Sequence, residues 1–270
     1  MKLYVKAFSE YRSDKENIII KKELKEKYKI DVRRKDEFIY LAILGAQRLK
    51  EKAEINPSDE LYITSGLGNV DILQKIYEHV IIKKQFIRPF DFINMLGNTT
   101  SYHVATSLGI KDKNIFQISD NFTYINSLIS IYASLKNSKK EAIFGSLDLA
   151  SSPSNVMQRV LGLDKSVELI SSVNYQKLSL EGIKAMASIE FDAKTYTDKE
   201  IQKLIGLTNM RVIAASRCSI EGVNSQKYSF ETIASNVVND SIQTKQDTLF
   251  IECYDAKYKI LKIKIQRSLR

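Results

Sequence analysis

Residues 114–148 read NIFQISDNFTYINSLISIYASLKNSKKEAIFGSLD, and the order of elements in this stretch decides the fold. A short apolar run, Ile115-Phe116-Gln117-Ile118, enters a polar turn at Ser119-Asp120-Asn121-Phe122. A helical run, Ile125 to Leu135, leaves the turn, and a second apolar run, Ala142-Ile143-Phe144, ends in Gly145-Ser146-Leu147-Asp148. Strand, tight turn, buried helix and strand place one side chain at the mouth of a cleft, in line with a helix N-terminus. In many α/β enzymes that side chain is a nucleophile. Here none of Asp120, Asn121 and Phe122 is a thiol or a hydroxyl.

Upstream, residues 2–8 alternate charged and apolar and predict a first strand. Residues 10–34 are charged with few apolar anchors, as in a surface excursion. From Asp36 the period becomes helical: Phe38, Leu41, Ala42, Gly45, Ala46 and Leu49 share one face of a helix that ends near Asn56-Pro57. Leu61 to Thr64 predicts a strand, closed by Gly66-Leu67-Gly68 before a helical run from Val70 to Val80. The Gly-x-Gly reads as a tight turn rather than a phosphate cradle. Arg88-Pro89 opens the next block, and Asn98 to Leu108 predicts a helix before Gly109-Ile110.

Downstream, Gln158 to Ser171 is irregular, and Ala185 to Phe191 and Arg211 to Ala215 are strand-like. Phe230 to Ile242 predicts a helix with Phe230, Ile233, Ala234, Val237 and Val238 on one face. Leu249 to Cys253 and Tyr258 to Ile265 flank Asp255-Ala256 as a terminal hairpin. No stretch marks a linker, so residues 1–270 are expected to form one α/β domain around a layered sheet.

Composition narrows the function classes. The chain has 270 residues, 44% hydrophobic and 27% charged, and with only 10 Gly and 3 Pro it is poorly suited to disorder. A net charge of +9 steers acidic ligands: nucleic acid, an anionic membrane or a small acidic protein. A general Lys/Ile bias in composition would give the same charge without a partner. The basic residues are dispersed and no aromatic-basic motif accompanies them, which argues against nucleic acid. No apolar run approaches the length of a membrane span and no apolar segment follows Met1, so a cytoplasmic protein is expected. Cys218 and Cys253 form no CxxC and are read as separate buried thiols in a reducing compartment. His79 and His103 have no ligand-type spacing with them, which excludes a metal site, and no cofactor motif is present.

Several landmarks together resemble the β-ketoacyl synthases, condensing enzymes of the thiolase fold. The helix from Arg34-Lys35-Asp36-Glu37-Phe38 to Leu49 is similar to that family's first long helix. Pro89, Asn98, His103 and Leu108-Gly109-Ile110 fall where it has a proline, an asparagine and a Leu-Gly-hydrophobic step. Gly145-Ser146-Leu147-Asp148 with Pro153 resembles its Gly-Gly-x-Glu segment and following proline, and Leu180-Glu181-Gly182 its Gly-Glu-Gly-Ala segment. The chain as a whole resembles the N-terminal two-thirds of such an enzyme, a thiolase-like layered fold with its C-terminal half truncated. The match thins beyond residue 215.

The resemblance places the catalytic cysteine at Asn121, or at Asp120 when counted back from Gly145. It places the first catalytic histidine after the strand at 249–253, where Cys253-Tyr254-Asp255 stands, and the second beyond Arg270. His103 lies on a helix before the nucleophile strand and reads as a packed or interface histidine. A ketosynthase fold without this chemistry implies a chain-length factor: a non-catalytic subunit paired with an active synthase, acting on acyl chains held by an acidic acyl carrier protein in polyene or polyketide pathways. By the same resemblance Ile115, Phe116, Gln117 and Ile118 pair across the dimer interface. Phe90, Phe92, Ile93, Met95 and Leu96 would wall the partner's acyl tunnel, against the simpler reading of core packing. The alternative is a thiolase-fold acyltransferase or hydrolase using Asp120 as base or Cys253 as nucleophile.

Overall fold

The computed structural model describes residues 1–119, 121–150, 170–215, 218, 220–225 and 232–266. Ten strands form one mixed sheet in the order β3-β2-β4-β5-β1-β6-β10-β9-β7-β8. They are β1 (Lys2–Arg12), β2 (Glu60–Ser65), β3 (Asn114–Ile118), β4 (Ala142–Asp148), β5 (Ser172–Ser179), β6 (Ala187–Phe191), β7 (Arg211–Ala214), β8 (Asn224–Ser225), β9 (Thr248–Tyr254) and β10 (Lys257–Ile265). The helices are α1 (Ile20–Glu26), α2 (Glu37–Lys50), α3 (Val70–Tyr77), α4 (Pro89–Met95), α5 (Gly97–Leu108), α6 (Thr123–Ser138), α7 (Asp198–Leu207) and α8 (Thr232–Thr244).

The sheet is two copies of one five-strand pattern, back to back. In the first half β1 and β5 pair antiparallel, as do β5 and β4, while β4–β2 and β2–β3 are parallel. In the second half β6–β10 and β10–β9 are antiparallel, and β9–β7 and β7–β8 are parallel. Antiparallel β1 and β6 join the halves. The second half occupies residues 187–265 and contributes all five of its strands. Helix α6 packs on β2, β3 and β4 of one half and β10 of the other. Helix α8 does the same with β1, β4 and β5 against β9 and β10, so these two helices form the central layer. Helix α2 covers the outer face of the first half, and α7 packs against β10 of the second.

Each element follows from its side chains. Asp36 caps α2, its carboxylate accepting from Ile39 N at 3.1 Å. Nearly every residue of α2 from Phe38 to Leu49 is buried, because sheet, α1 and α5 enclose it. Gly45 lets it approach β5, since a Cβ there would stand 2.7 Å from Val173 and 2.8 Å from Tyr175. The helix ends at Lys50, well before Asn56-Pro57, in the charged run Lys50-Glu51-Lys52. The run from Val70 is α-helical only to Tyr77 and continues as a π-helical turn at Glu78–Ile82. The hairpin turn at Asp255-Ala256 has both residues left-handed (φ 49° and 53°), the backbone of a primed two-residue turn.

Five elements are absent from the sequence reading: α1, which lies in the stretch expected to be a surface excursion, and α4, β5, α7 and β8. β5 is buried along its whole length, and its polar residues Asn174 and Gln176 are satisfied from α8 and α6. Tyr124 donates to Gln176 at 2.5 Å, Gln176 donates to Asn239 at 3.0 Å, and Asn239 donates to Asn174 at 2.8 Å. Helix α7 starts in a capping box between Thr197 and Glu200. Pro153, Phe230 and the stretch from Gln158 to residue 169 lie outside the described residues. Among the described residues no helix is long and apolar enough to cross a membrane.

Candidate functional site at the turn between β3 and α6

β3 delivers the chain to the turn at residues 119–122, and α6 leaves it. Asp120 lies outside the described residues. Ser119 Oγ donates to Asn121 O at 3.1 Å, and Thr123 Oγ1 donates to Ser119 O at 2.9 Å. Phe122 is the N-cap of α6 in a left-handed conformation (φ 50°), and its side chain provides no cap. The cap comes from the other half of the sheet instead. The backbone N–H of Phe122 donates to Glu252 Oε1 on β9 at 3.0 Å. Asn126 N donates to Phe122 O at 2.8 Å and continues the helix.

Lys259 stands directly across the β9–β10 ladder from Glu252. Its ammonium donates to Asn126 Oδ1 at 2.6 Å and lies 5.4 Å from the centre of the buried Phe122 ring. Burial pushes this lysine below its ordinary value, with Glu252 and then Asp192 holding it up. A cross-strand Glu–Lys pair therefore clamps the turn. The N-terminal end of α6 attracts negative charge, and Glu252 supplies it. The turn has no nucleophile at Asn121 or Phe122, and its Phe122 amide is already engaged by a carboxylate.

Cys253 follows Glu252 on β9. The expectation of two separate free thiols is corrected here: Cys218 and Cys253 are joined in a disulfide, with Cα atoms 5.5 Å apart. Distance in sequence hid this because β7 and β9 are neighbours in the sheet, which brings the loop after β7 beside the end of β9. A disulfide sulfur is no nucleophile, so Cys253 is not available for acyl transfer in this state.

His103 is not at the turn. It sits on α5, half-buried, its ring edge-on to Tyr102 at 5.5 Å, and burial and then Lys35 push its imidazole below the ordinary value. Of the proposed tunnel residues, Phe90, Phe92, Ile93 and Leu96 are exposed, Phe92 at 51%, and Met95 is half-buried. Plain core packing therefore does not explain them. The Phe90 ring is covered by the Arg34 guanidinium at 4.5 Å.

The four β3 residues divide. Ile115 and Ile118 are exposed (37% and 52%), whereas Phe116 packs edge-on against Phe38 at 6.2 Å and Gln117 accepts from Ser127 at 2.8 Å. Among the described residues β3 pairs only with β2, and its other edge is open. Gly97 follows Met95 and Leu96 so closely over this strand that a Cβ there would stand 2.5 Å from the Phe116 ring. The apolar segment at 89–96 and the open edge thus adjoin.

Gly66-Leu67-Gly68 is a tight turn, as expected. Gly66 N donates to Asp148 Oδ1 at 3.1 Å, and Gly68 has φ 65°. Among the described residues no group of three His, Cys, Asp or Glu side chains is placed to hold a metal ion. Glu252 and Lys259 are the site residues that sequence reasoning missed. Their facing positions across a two-residue hairpin turn are visible in the sequence, but their reach to Phe122 is not.

The sequence matches no family model and no curated protein. Solved structures do match along their length. The structure titled "The ishigamide ketosynthase/chain length factor" is 8% identical, with TM-score 0.70 and coverage of 99% of this chain and 100% of that one. The ketosynthase (ApeO) in complex with its chain length factor (ApeC) from Xenorhabdus doucetiae is 11% identical, with TM-score 0.62, 97% of this chain and 99% of that one. The 3-oxoacyl-(acyl carrier protein) synthase III (FabH) of Pseudomonas aeruginosa PAO1 is 8% identical, with TM-score 0.57, 99% of this chain and 99% of that one. The likeness runs end to end, rather than over the first two-thirds expected from the sequence. The chain has the thiolase-like α/β fold of the ketosynthases.

Proposed function

We propose that this chain is a non-catalytic ketosynthase-like subunit, a chain-length factor that pairs with an active β-ketoacyl synthase and shapes its acyl tunnel. The observation that carries this reading is the turn between β3 and α6. The resemblance puts the nucleophile position at Asn121 or Asp120, neither of them a thiol, and the Phe122 amide is bonded to Glu252. An amide side chain forms no thioester, and a carboxylate seated on a backbone donor competes with any oxyanion that would use it. The open β3 edge gives the partner its place, because exposed Ile115 and Ile118 beside unpaired backbone groups are an aggregation hazard unless another chain covers them.

The adjoining apolar segment gives the subunit its work. Phe90, Phe92, Ile93 and Leu96 face outward, with Met95 half-buried behind them, where a second chain would meet them. A linear acyl chain needs an apolar wall and a fixed stop. The chain it limits would be carried on an acidic acyl carrier protein, to which the +9 charge is suited. Co-expression with a synthase that retains its Cys-His-His set tests the reading. The two chains are expected to co-elute as a dimer, and separate elution at micromolar concentration contradicts it.

A further inference from the structure

Arg33, Arg34 and Lys35 follow one another just before α2 and form one side of a cavity of ≈ 530 Å³. Phe90, Ile93, Leu96 and Tyr102 form an apolar wall, and His103 also lines it. One carboxylate reaches this cavity, that of Asp31, and Arg33 takes it with Nε at 3.0 Å and Nη2 at 2.8 Å. Lys35 Nζ donates to the backbone carbonyl of Asp31 at 2.7 Å. The Arg34 guanidinium lies on the Phe90 ring. Among the described residues neither Arg34 nor Lys35 forms an ion pair.

The cations are held in place. Arg34 is left-handed at φ 64°, and its carbonyl accepts from Asn94 Nδ2 at 3.1 Å. Asn94 is itself buried, and its carbonyl accepts from Asn69 at 3.2 Å. The crowding is felt by the titratable groups nearby. Lys35 is held down by burial and by Arg33, against Asp31, and His103 by burial and by Lys35. Among the described residues these two cations form no ion pair, and both stand next to an apolar wall.

We propose that this cavity binds an anionic amphiphile, a phosphate ester whose head sits between Arg34 and Lys35 and whose short apolar tail lies along Phe90, Ile93 and Leu96. Arginine and lysine offer up to five and three donors for a phosphate head. The neutral form of His103 adds one more, and an anion beside it raises its affinity for a proton. Phe90, Ile93 and Leu96 belong to the segment assigned above to the partner, so the inference concerns this chain before it pairs with a synthase.

The chain contains only two histidines, His79 and His103, so each imidazole signal reports separately in a proton NMR titration. Hexyl phosphate is expected to bind at least ten-fold more tightly than inorganic phosphate, and hexanol not measurably. Saturation with hexyl phosphate raises the His103 pKa and leaves His79 where it was. Arg34→Gln/Lys35→Gln weakens binding at least ten-fold. Because position 34 is left-handed, Lys35→Gln alone is the second variant and gives a smaller loss in the same direction. Sedimentation with phosphatidylglycerol vesicles separates the sources: retention that the double variant abolishes assigns a lipid headgroup, and its absence assigns a soluble ester. Equal affinity for phosphate and hexyl phosphate, equal movement of both histidines, or unchanged binding by the variants would overturn the proposal.

Discussion

Glu252 accepts the backbone N–H of Phe122 at 3.0 Å across 130 residues of sequence, tying the end of β9 to the start of α6. A charge-assisted bond of this kind contributes about 1.5–3 kcal/mol. Glu252→Ala is expected to destabilise the chain by about that amount in urea unfolding. Glu252→Gln keeps an acceptor of the same reach and loses less. Equal stability of all three proteins would remove the clamp from the account.

Lys259 gives the clamp a pH signature. Its folded pKa is depressed by burial below the ordinary 10.5, so between the two values the unfolded chain binds more protons. Stability therefore rises with pH through that window, and at neutral pH the charged lysine is carried at a cost. Lys259→Met is expected to flatten this alkaline rise in denaturant midpoints measured from pH 8 to 11. A rise of the same size in the variant would assign it to other groups.

How much of this was legible in the sequence depends on whether a residue acts locally. Asp36 before an apolar helical period, and Asp255-Ala256 between alternating runs, announce their roles through neighbours a few positions away. β5 did not, because the polar Asn174 and Gln176 interrupt any apolar run over Ser172–Ser179. Both are buried, and Tyr124 and Asn239 arrive from two other helices to satisfy them. The Cys218–Cys253 pairing was hidden for the same reason, as it depends on β7 lying beside β9. That neither Asn121 nor Phe122 is a nucleophile could be read directly, whereas the carboxylate that bonds the Phe122 amide comes from the far half of the sheet.

Asp36 separates a cap from a charge. Burial raises its carboxyl, while bonds from Ile39 N and Asn69 oppose the rise. For an acid with a raised folded pKa, stability falls as pH climbs from 3.8 through the raised value. Asp36→Asn keeps the acceptor for Ile39 and loses this pH dependence. Asp36→Ala loses the cap as well, at about 0.5–2 kcal/mol. Thermal unfolding between pH 4 and 7 distinguishes the two variants.

The open edge carries the assembly prediction. A stable dimer is expected to bury on the order of 2,000 Å² or more in total. Ile115 is exposed, so Ile115→Lys leaves the core intact and places a charge where a partner strand would pair. Light scattering is expected to show a folded monomer that no longer binds the synthase. Unchanged assembly would move the interface elsewhere.

Phe92→Ala and Leu96→Ala probe the tunnel wall. Each added pair of methylenes in a dry channel gains roughly 1.6 kcal/mol, until a fixed ring turns the gain into an overpacking cost of ~1–3 kcal/mol. Both substitutions are expected to lengthen the products of the complex without abolishing condensation. Unchanged product lengths in an intact complex would leave this chain a scaffold.

The central claim is that the turn at Asn121-Phe122 does no acyl chemistry. Intact-mass spectrometry of the purified chain, incubated with acyl and malonyl thioesters of an acyl carrier protein, tests it most directly. The expected mass is that of the unmodified chain, with malonyl thioester consumed no faster than in buffer. A covalent acyl adduct on the chain would contradict it.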